Sequence, residues 1–229
     1  MTEPSTALVL GASRGLGLAL AEEWCRRDWR VIATVRSPSP ALEALGAWYS
    51  QSLEIEQADI DQRASMSALR KRLAGRRLDV LFVSAGIARA IEATPASVDE
   101  QDFLAMMLTN ALSPVRAVEL LQDLVPDDGV IALMSSELGS ITANNGFWQL
   151  YSSSKAALNM LMKGFAGRHP RDPRAMLLLA PGWVRTDMGG EGATFSVEES
   201  IPLVVDVVEA NRGKPGLRYL DRFGQALPW

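Results

Sequence analysis

The stretch Thr6-Ala-Leu-Val-Leu-Gly-Ala-Ser-Arg-Gly-Leu-Gly-Leu-Ala-Leu20 decides how the chain is to be read. An apolar run ends at Gly11, an amphipathic run opens at Gly15, and glycines stand at 11, 15 and 17 in the spacing G-x-x-x-G-x-G. Glycine accepts positive φ and lets another group approach the backbone, so the pattern reads as strand, tight turn and helix. Free N–H groups and the helix dipole at such a turn attract phosphate. A plain turn is the competing explanation, and the order strand, loop, helix favours the phosphate reading.

The same alternation continues outward. Strands are expected at Thr6–Leu10, Arg30–Val35, Leu53–Gln57, Asp79–Ser84, Val130–Ser135, Ala175–Ala180 and Leu217–Leu220. Helices are expected near 15–28, 39–49, 62–74, 98–125, 149–168 and 196–212. Short apolar runs between longer amphipathic ones mark a parallel sheet covered on both faces. The expected fold is α/β: one Rossmann-type doubly wound sheet of seven mainly parallel strands. No linker, repeat or low-complexity run interrupts it, so residues 1–229 read as a single dinucleotide-binding and catalytic domain. Ligands then bind beyond the carboxyl ends of the strands, where strand order reverses.

Composition narrows the function. The net charge is −4 and no basic stripe is present, which argues against nucleic-acid and membrane-surface partners. No run of about 18 apolar residues is seen, so no membrane span is expected. The N-terminus enters a strand within six residues without signal-peptide features, and a cytoplasmic protein is expected. The lone Cys25, in step with Leu18, Ala21 and Trp24, reads as a packed thiol rather than a nucleophile. His169, beside Pro170, reads as a helix-end or surface group. One His and one Cys do not make a usual zinc site, and no metal is expected. Acid–base chemistry falls to other groups.

Two features carry that chemistry. Tyr151-Ser-Ser-Ser-Lys155 sets a phenol and an amine at i, i+4 on one helix face, where the ammonium would favour the ionised phenol. The pair alone describes a solvated face equally well. After the second strand, Val35 is followed by Arg36-Ser37 rather than a carboxylate, and Arg14 adds a second cation. An Arg there would pair with a 2′-phosphate, so NADP(H) is preferred over NAD(H), two surface arginines being the plain alternative. Asp59-Ile60 could meet an adenine edge, although Asp59 or Asp61 could equally cap the next helix.

Taken in order, Gly11…Gly15-x-Gly17, Asp59, Ser84-Ala85-Gly86, Asn110, Ser135-Ser136, Tyr151…Lys155 and Pro181-Gly182 resemble the short-chain dehydrogenase/reductase family over nearly the whole chain. Gly182-Trp-Val-Arg-Thr-Asp-Met188 and the closing Leu220-Asp-Arg-Phe-Gly224…Leu227-Pro-Trp229 are most similar to its small carbonyl reductases of the sniffer and C-factor type. The resemblance implies catalytic roles for Ser136, Tyr151, Lys155 and Asn110. It implies cofactor contacts from Gly11, Ser13, Arg14, Gly15, Leu16, Gly17, Arg36, Asp59, Ile60, Ser84, Ala85, Gly86, Tyr151, Lys155, Pro181, Gly182, Val184 and Thr186. Two departures stand out. Ser84 replaces the family's Asn, and the interval before Tyr151 is long enough to leave Ser135 or Ser136 as the reacting serine. Ser136 is preferred because it lies three residues before Gly139.

The implied activity is reversible hydride transfer between NADP(H) and a small ketone, aldehyde or secondary alcohol. Tyr151 would donate the proton, Ser136 would hydrogen-bond the oxygen, Lys155 would lower the phenol pKa and hold the nicotinamide ribose, and Asn110 would bind a linking water. Ile87, Leu138, Phe147, Trp148, Trp183 and Met188 would line an apolar substrate pocket. The segment Thr186–Phe195, with Gly189, Gly190 and Gly192, would form a short mobile flap. The alternatives are an NADP(H)-binding signalling protein of C-factor type and a dehydratase or epimerase on a related scaffold. The apolar segments 98–125 and 149–168 offer faces for a homo-oligomer, or else are buried within one chain.

Overall fold

The structure, a computed structural model, describes residues 3–229. Its sheet has seven strands: β1 (Thr6–Leu10), β2 (Arg30–Val35), β3 (Leu53–Gln57), β4 (Val80–Val83), β5 (Val130–Met134), β6 (Ala175–Ala180) and β7 (Gly216–Asp221). Their order is β3-β2-β1-β4-β5-β6-β7. Every pairing is parallel, so the expected "mainly parallel" sheet is wholly so. Strand order reverses between β1 and β4, which places the crevice above the glycine turn.

Between the strands run α1 (Gly15–Arg26), α2 (Pro40–Trp48), α3 (Arg63–Arg72), α4 (Glu100–Met107), α5 (Ser113–Leu121), α6 (Gln149–Arg168) and α7 (Val197–Ala210). Alternate residues of each strand point to opposite faces. Ala7 and Val9 therefore join Trp24 of α1 and Val204 of α7 in one core layer. Leu8 and Leu10 join Leu69 of α3, Val118 of α5 and Phe165 of α6 in the other. Both layers are needed, because a sheet buried on both faces must be covered twice.

The differences from expectation fall at element ends. Ser84 leaves the sheet because its N–H and that of Ala85 both donate to Leu10 O, at 2.9 Å each. Asp79 precedes β4 as an anchor, its carboxylate accepting from Thr6 N at 2.8 Å and pairing with Arg212 at 3.0 Å. Ser135 lies just beyond β5. The helix expected over 98–125 is interrupted by a π-helical turn at Leu108–Leu112, a distortion that often marks functional positions. Contrary to the apolar-run count, Glu100–Leu124 is long and apolar enough to match a membrane span by length and composition. Half of its most apolar window is buried inside the fold.

The glycine turn is built by exclusion. Gly11 has φ +89, and a Cβ there would lie 2.7 Å from Ala85 Cα. A Cβ on Gly17 would lie 2.0 Å from Gly11 O. Thr34 secures the turn from β2, its Oγ1 accepting from Gly11 N at 3.0 Å and its carbonyl from Ala12 N at 2.8 Å. Gly17→Ala should therefore lower unfolding stability by about 3 kcal/mol. Urea unfolding checks this, and an unchanged midpoint would contradict the packing described.

Candidate active site

Tyr151 and Lys155 lie one turn apart near the start of α6, and both side chains are buried, at 9% and 4% exposure. Lys155 Nζ donates to Met134 O at 2.9 Å and lies 5.7 Å from the centre of the Tyr151 ring. Burial raises the phenol pKa and lowers that of the ammonium to about 8. The expected lowering of the phenol pKa by Lys155 is thus not found in this arrangement. The amine is spent on a β5 carbonyl, and loss of solvent dominates both groups. Tyr151 consequently carries its proton at neutral pH.

Asn110 sits in the π-helical turn and is fully buried. Its Oδ1 accepts from Ile87 N at 2.8 Å, and its Nδ2 donates to Ile87 O at 2.8 Å and to Ser154 Oγ at 3.0 Å. Ser154 in turn donates to Tyr151 O at 2.7 Å. Both amide donors of Asn110 are thereby committed to holding the loop after β4 against α6. The structure also separates the two serines. Ser135 is buried, and its hydroxyl donates to Asn159 Oδ1 at 2.7 Å. Ser136 is half-buried, and its Oγ accepts from Leu138 N at 3.2 Å, leaving its own proton free to donate.

Ser154, Asn159 and Tyr219 are the participants that the motif reading missed. Ser154 stands inside the Tyr-Lys motif, and Asn159 is one turn beyond Lys155 on the same helix face, so spacing could have flagged both. Tyr219 donates its hydroxyl to Ser136 O from 83 residues away, and no local pattern announces it.

The residues expected to hold a cofactor gather along the crevice. The first turn of α1 has no acidic residue and no side-chain cap at Arg14, which leaves its N–H groups for an anion. Ser13 O accepts from Ser39 Oγ at 2.6 Å, and Leu16 packs against the core below the turn. Arg14 pairs with Asp187 at 3.0 Å, both side chains about three-quarters exposed, so this cation is engaged by the flap. The Thr186 methyl lies 3.5 Å from where a Gly15 Cβ would be. Arg36 is exposed and borders a cavity of about 400 Å³ with Glu56, Gln57, Asp59, Ser65 and Arg72.

Asp59 shapes its own turn, accepting from Asp61 N at 3.0 Å. Gln62, not Asp59 or Asp61, occupies the N-cap of α3. Ile60 packs against the core on the α3 side. Gly86 opens onto the site, since a Cβ there would stand 3.4 Å from Asn110 Oδ1 and 3.7 Å from Lys155 Nζ. Pro181 O accepts from Ser200 Oγ at 2.7 Å, Gly182 has φ +83, and Val184 bridges to Phe195 at the root of the flap.

The expected pocket residues form an aromatic wall beside Tyr151. Trp148 precedes α6 with φ +44, an unusual left-handed conformation for a tryptophan. Its ring stands edge-on to Tyr151 at 5.8 Å and stacks on Phe147 at 5.2 Å, and Phe147 meets Trp183 at 6.1 Å. Trp183 is fixed by donating Nε1–H to Gly189 O at 2.9 Å. Ile87 and Leu138 pack around Tyr151, whereas Met188 lies exposed on the flap. Away from the site, burial raises the Cys25 thiol pKa to about 11, as suits a packed thiol. His169 closes α6, with Nδ1 2.9 Å from Phe165 O.

This arrangement has relatives. The sequence profile of the short chain dehydrogenase family matches residues 5–194, and the chain belongs to that family as an NAD(P)-dependent oxidoreductase. A solved Burkholderia multivorans short-chain dehydrogenase/reductase with bound NADP is 49% identical. It superposes with a TM-score of 0.97 over 99% of this chain and 100% of its own. A carbonyl reductase from Pseudomonas aeruginosa PAO1 in complex with NADP is 38% identical, with a TM-score of 0.92 over 99% of this chain and 100% of its own. The C-signal protein of Myxococcus xanthus is 31% identical over 66% of this chain and 93% of its own. The narrower likeness to carbonyl reductases of the Sniffer and C-factor type holds as well.

The buried amine makes stability depend on pH. Lys155 titrates near 8 in the folded chain against 10.5 when unfolded, so the folded state binds fewer protons between those values. Its contribution to stability therefore rises with pH across that window. The stability of the wild type relative to Lys155→Met should increase from pH 8 to 10.5 by on the order of 3 kcal/mol. Denaturant titrations at stepped pH measure it, and parallel curves would contradict the burial argument.

Proposed function

We propose that the protein is an NADPH-dependent carbonyl reductase acting on small ketones or aldehydes, with Tyr151 as the proton donor. The observation that carries this reading is a buried phenol one helical turn from a buried amine, faced by a half-exposed aromatic wall. The solved relatives with NADP support the cofactor, and the carbonyl reductase among them supports the reaction. The site fits the group. Gly11 and Gly17 leave no room for a Cβ, the first turn of α1 is uncapped, and the cavity at Arg36 lies just beyond β2 where an adenosine 2′-phosphate would need a cation.

The glycine turn, Arg36, Asp59 and Ile60 would hold the adenosine half, and Lys155, Pro181, Gly182, Val184 and Thr186 the nicotinamide half. When bound, NADPH supplies a hydride to the carbonyl carbon. Tyr151 gives its phenolic proton to the carbonyl oxygen as negative charge develops there, and the free Ser136 hydroxyl donates a hydrogen bond to the same oxygen. Lys155 supplies positive charge behind the phenol and stabilises it once it is deprotonated. Asn110, with both donors committed, positions α6 and the loop after β4. Phe147, Trp148 and Trp183 give the substrate an apolar, largely aromatic surface.

On this reading residues 1–229 act as one dinucleotide-binding and catalytic domain in the cytoplasm, on small molecules rather than nucleic acid or membrane. Leu104 and Met160 stand exposed on α4 and α6, the faces on which a homo-oligomer would form. The likeness to C-signal motivates a second reading, an NADP(H)-binding signalling protein without essential turnover. The Tyr151–Lys155 pair weighs against it, because a protein that only binds the cofactor has no need of a proton donor such as Tyr151.

Tyr151→Phe should lower NADPH-dependent reduction of an aryl ketone by at least about 100-fold while leaving NADPH fluorescence titrations unchanged. Undiminished turnover would remove Tyr151 from the mechanism. Arg36→Ala should weaken NADPH binding about tenfold and leave NADH binding unaltered. An equal loss for both cofactors would contradict the 2′-phosphate assignment.

A further inference from the structure

Ser136 lies beyond the last hydrogen-bonded residue of β5, in extended backbone with φ −162 and ψ 152. A hydroxyl on a strand end is a useful donor only if the backbone carrying it is held on both flanks. We infer that Tyr219 and Asn159 are positioning residues that hold Ser136 for its donation to the substrate oxygen. The inference rests on the reading of Ser136 given above.

The upstream flank is fixed twice. Ser135 N donates to Leu179 O of β6 at 2.8 Å, and the Ser135 hydroxyl donates to Asn159 Oδ1 at 2.7 Å. Downstream, Asn159 Nδ2 donates to Gly139 O at 3.2 Å. One amide from α6 thus grips the chain on both sides of Ser136. The Ser136 carbonyl itself accepts from Gly139 N at 2.9 Å and from the Tyr219 hydroxyl. With Leu138 N occupying an acceptor position of Ser136 Oγ, the serine proton is the group left to point into the site.

The two tethers are themselves rigid. Tyr219 is 2% exposed, pairs with Leu178 across the β6–β7 ladder, and rests its ring 5.6 Å from that of Trp229. Its phenol pKa is raised to about 12 by burial, so it remains a donor across the neutral and mildly alkaline range. Asn159 is 3% exposed. Gly139 sits so close to α6 that a Cβ would lie 2.9 Å from Asn159 Nδ2 and 3.2 Å from Lys155 Cβ. The turn after Ser136 is therefore seated directly on the helical turn that carries Lys155. Being buried, Tyr219 and Asn159 act through Ser136 and not on the substrate.

A double-mutant cycle tests this, with Tyr219→Phe, Ser136→Ala and the double variant assayed for aryl ketone reduction with NADPH, alongside NADPH fluorescence titration and thermal melts. Tyr219→Phe should lower kcat about tenfold with NADPH affinity unchanged, and should cause no further loss once Ser136 is Ala. A tenfold loss in both backgrounds, or an unchanged kcat in Tyr219→Phe, overturns the inference while leaving the role of Ser136 intact. Full turnover in Ser136→Ala overturns the reading of Ser136 itself, and the inference with it. Should Tyr219→Phe fail to fold, Asn159→Ala carries the same cycle with the same expected and contradicting results.

Discussion

The site is organised around a cation placed where water does not reach. Lys155 is nearly fully buried, and its one hydrogen bond among the described residues is to the carbonyl of Met134. Desolvating an ammonium is expensive, and the folded protein answers with a lowered pKa rather than an ion pair. The surroundings follow from that placement. A Cβ on Gly86 would stand 3.7 Å from Lys155 Nζ, and one on Gly139 3.2 Å from Lys155 Cβ, so the loops after β4 and β5 both come close to this lysine. Asn110 holds the first of these loops and Asn159 the second, so both are referenced to α6. Tyr151 shares the buried turn and keeps its proton for the same reason that Lys155 gives its own up readily.

A second constraint is steric. The glycine turn brings β1, β4 and the N-terminus of α1 closer than any side chain permits, and Ala85 presses against Gly11. The flap joins this arrangement through the exposed Arg14–Asp187 pair, and the Thr186 methyl stands 3.5 Å from where a Cβ on Gly15 would be. A solvent-exposed pair of this kind contributes little to stability. The flap is bridged at its root by Val184 and Phe195 and held further along where Gly190 N donates to Thr186 O at 2.9 Å and Trp183 Nε1 donates to Gly189 O at 2.9 Å.

Much of this was legible in the sequence, for identifiable reasons. The strands were readable because a doubly covered parallel sheet demands continuous apolar runs such as Val130–Met134 and Leu177–Ala180. The glycine turn and the Tyr151–Lys155 spacing were readable because each is a local constraint. What escaped depends on partners distant in the chain. Tyr219 reaches Ser136 only through the β6–β7 pairing, and Arg14 meets Asp187 only through the flap. The π-helical turn at Asn110 hid within a continuous apolar helix pattern. The direction of the Tyr151 shift was misread because spacing places the amine on the same face but says nothing of Met134 O, which takes its hydrogen bond. The sequence preferred Ser136 over Ser135 by its spacing from Gly139, and the hydrogen bond of Ser135 to Asn159, which no local pattern announces, adds to that preference.

The central claim is that this crevice passes a hydride from a reduced nicotinamide to a carbonyl carbon while the protein supplies the proton. Single-turnover reduction of a prochiral aryl ketone with NADPH carrying deuterium at C4 tests it most directly, with the alcohol analysed by NMR. The account predicts that one of the two stereospecifically C4-labelled cofactors delivers one deuterium to the carbinol carbon, on a single stereochemical face, with an exchangeable proton on oxygen. An alcohol carrying only protium at that carbon from stereospecifically labelled cofactor of either hand, or no alcohol at all, would contradict it.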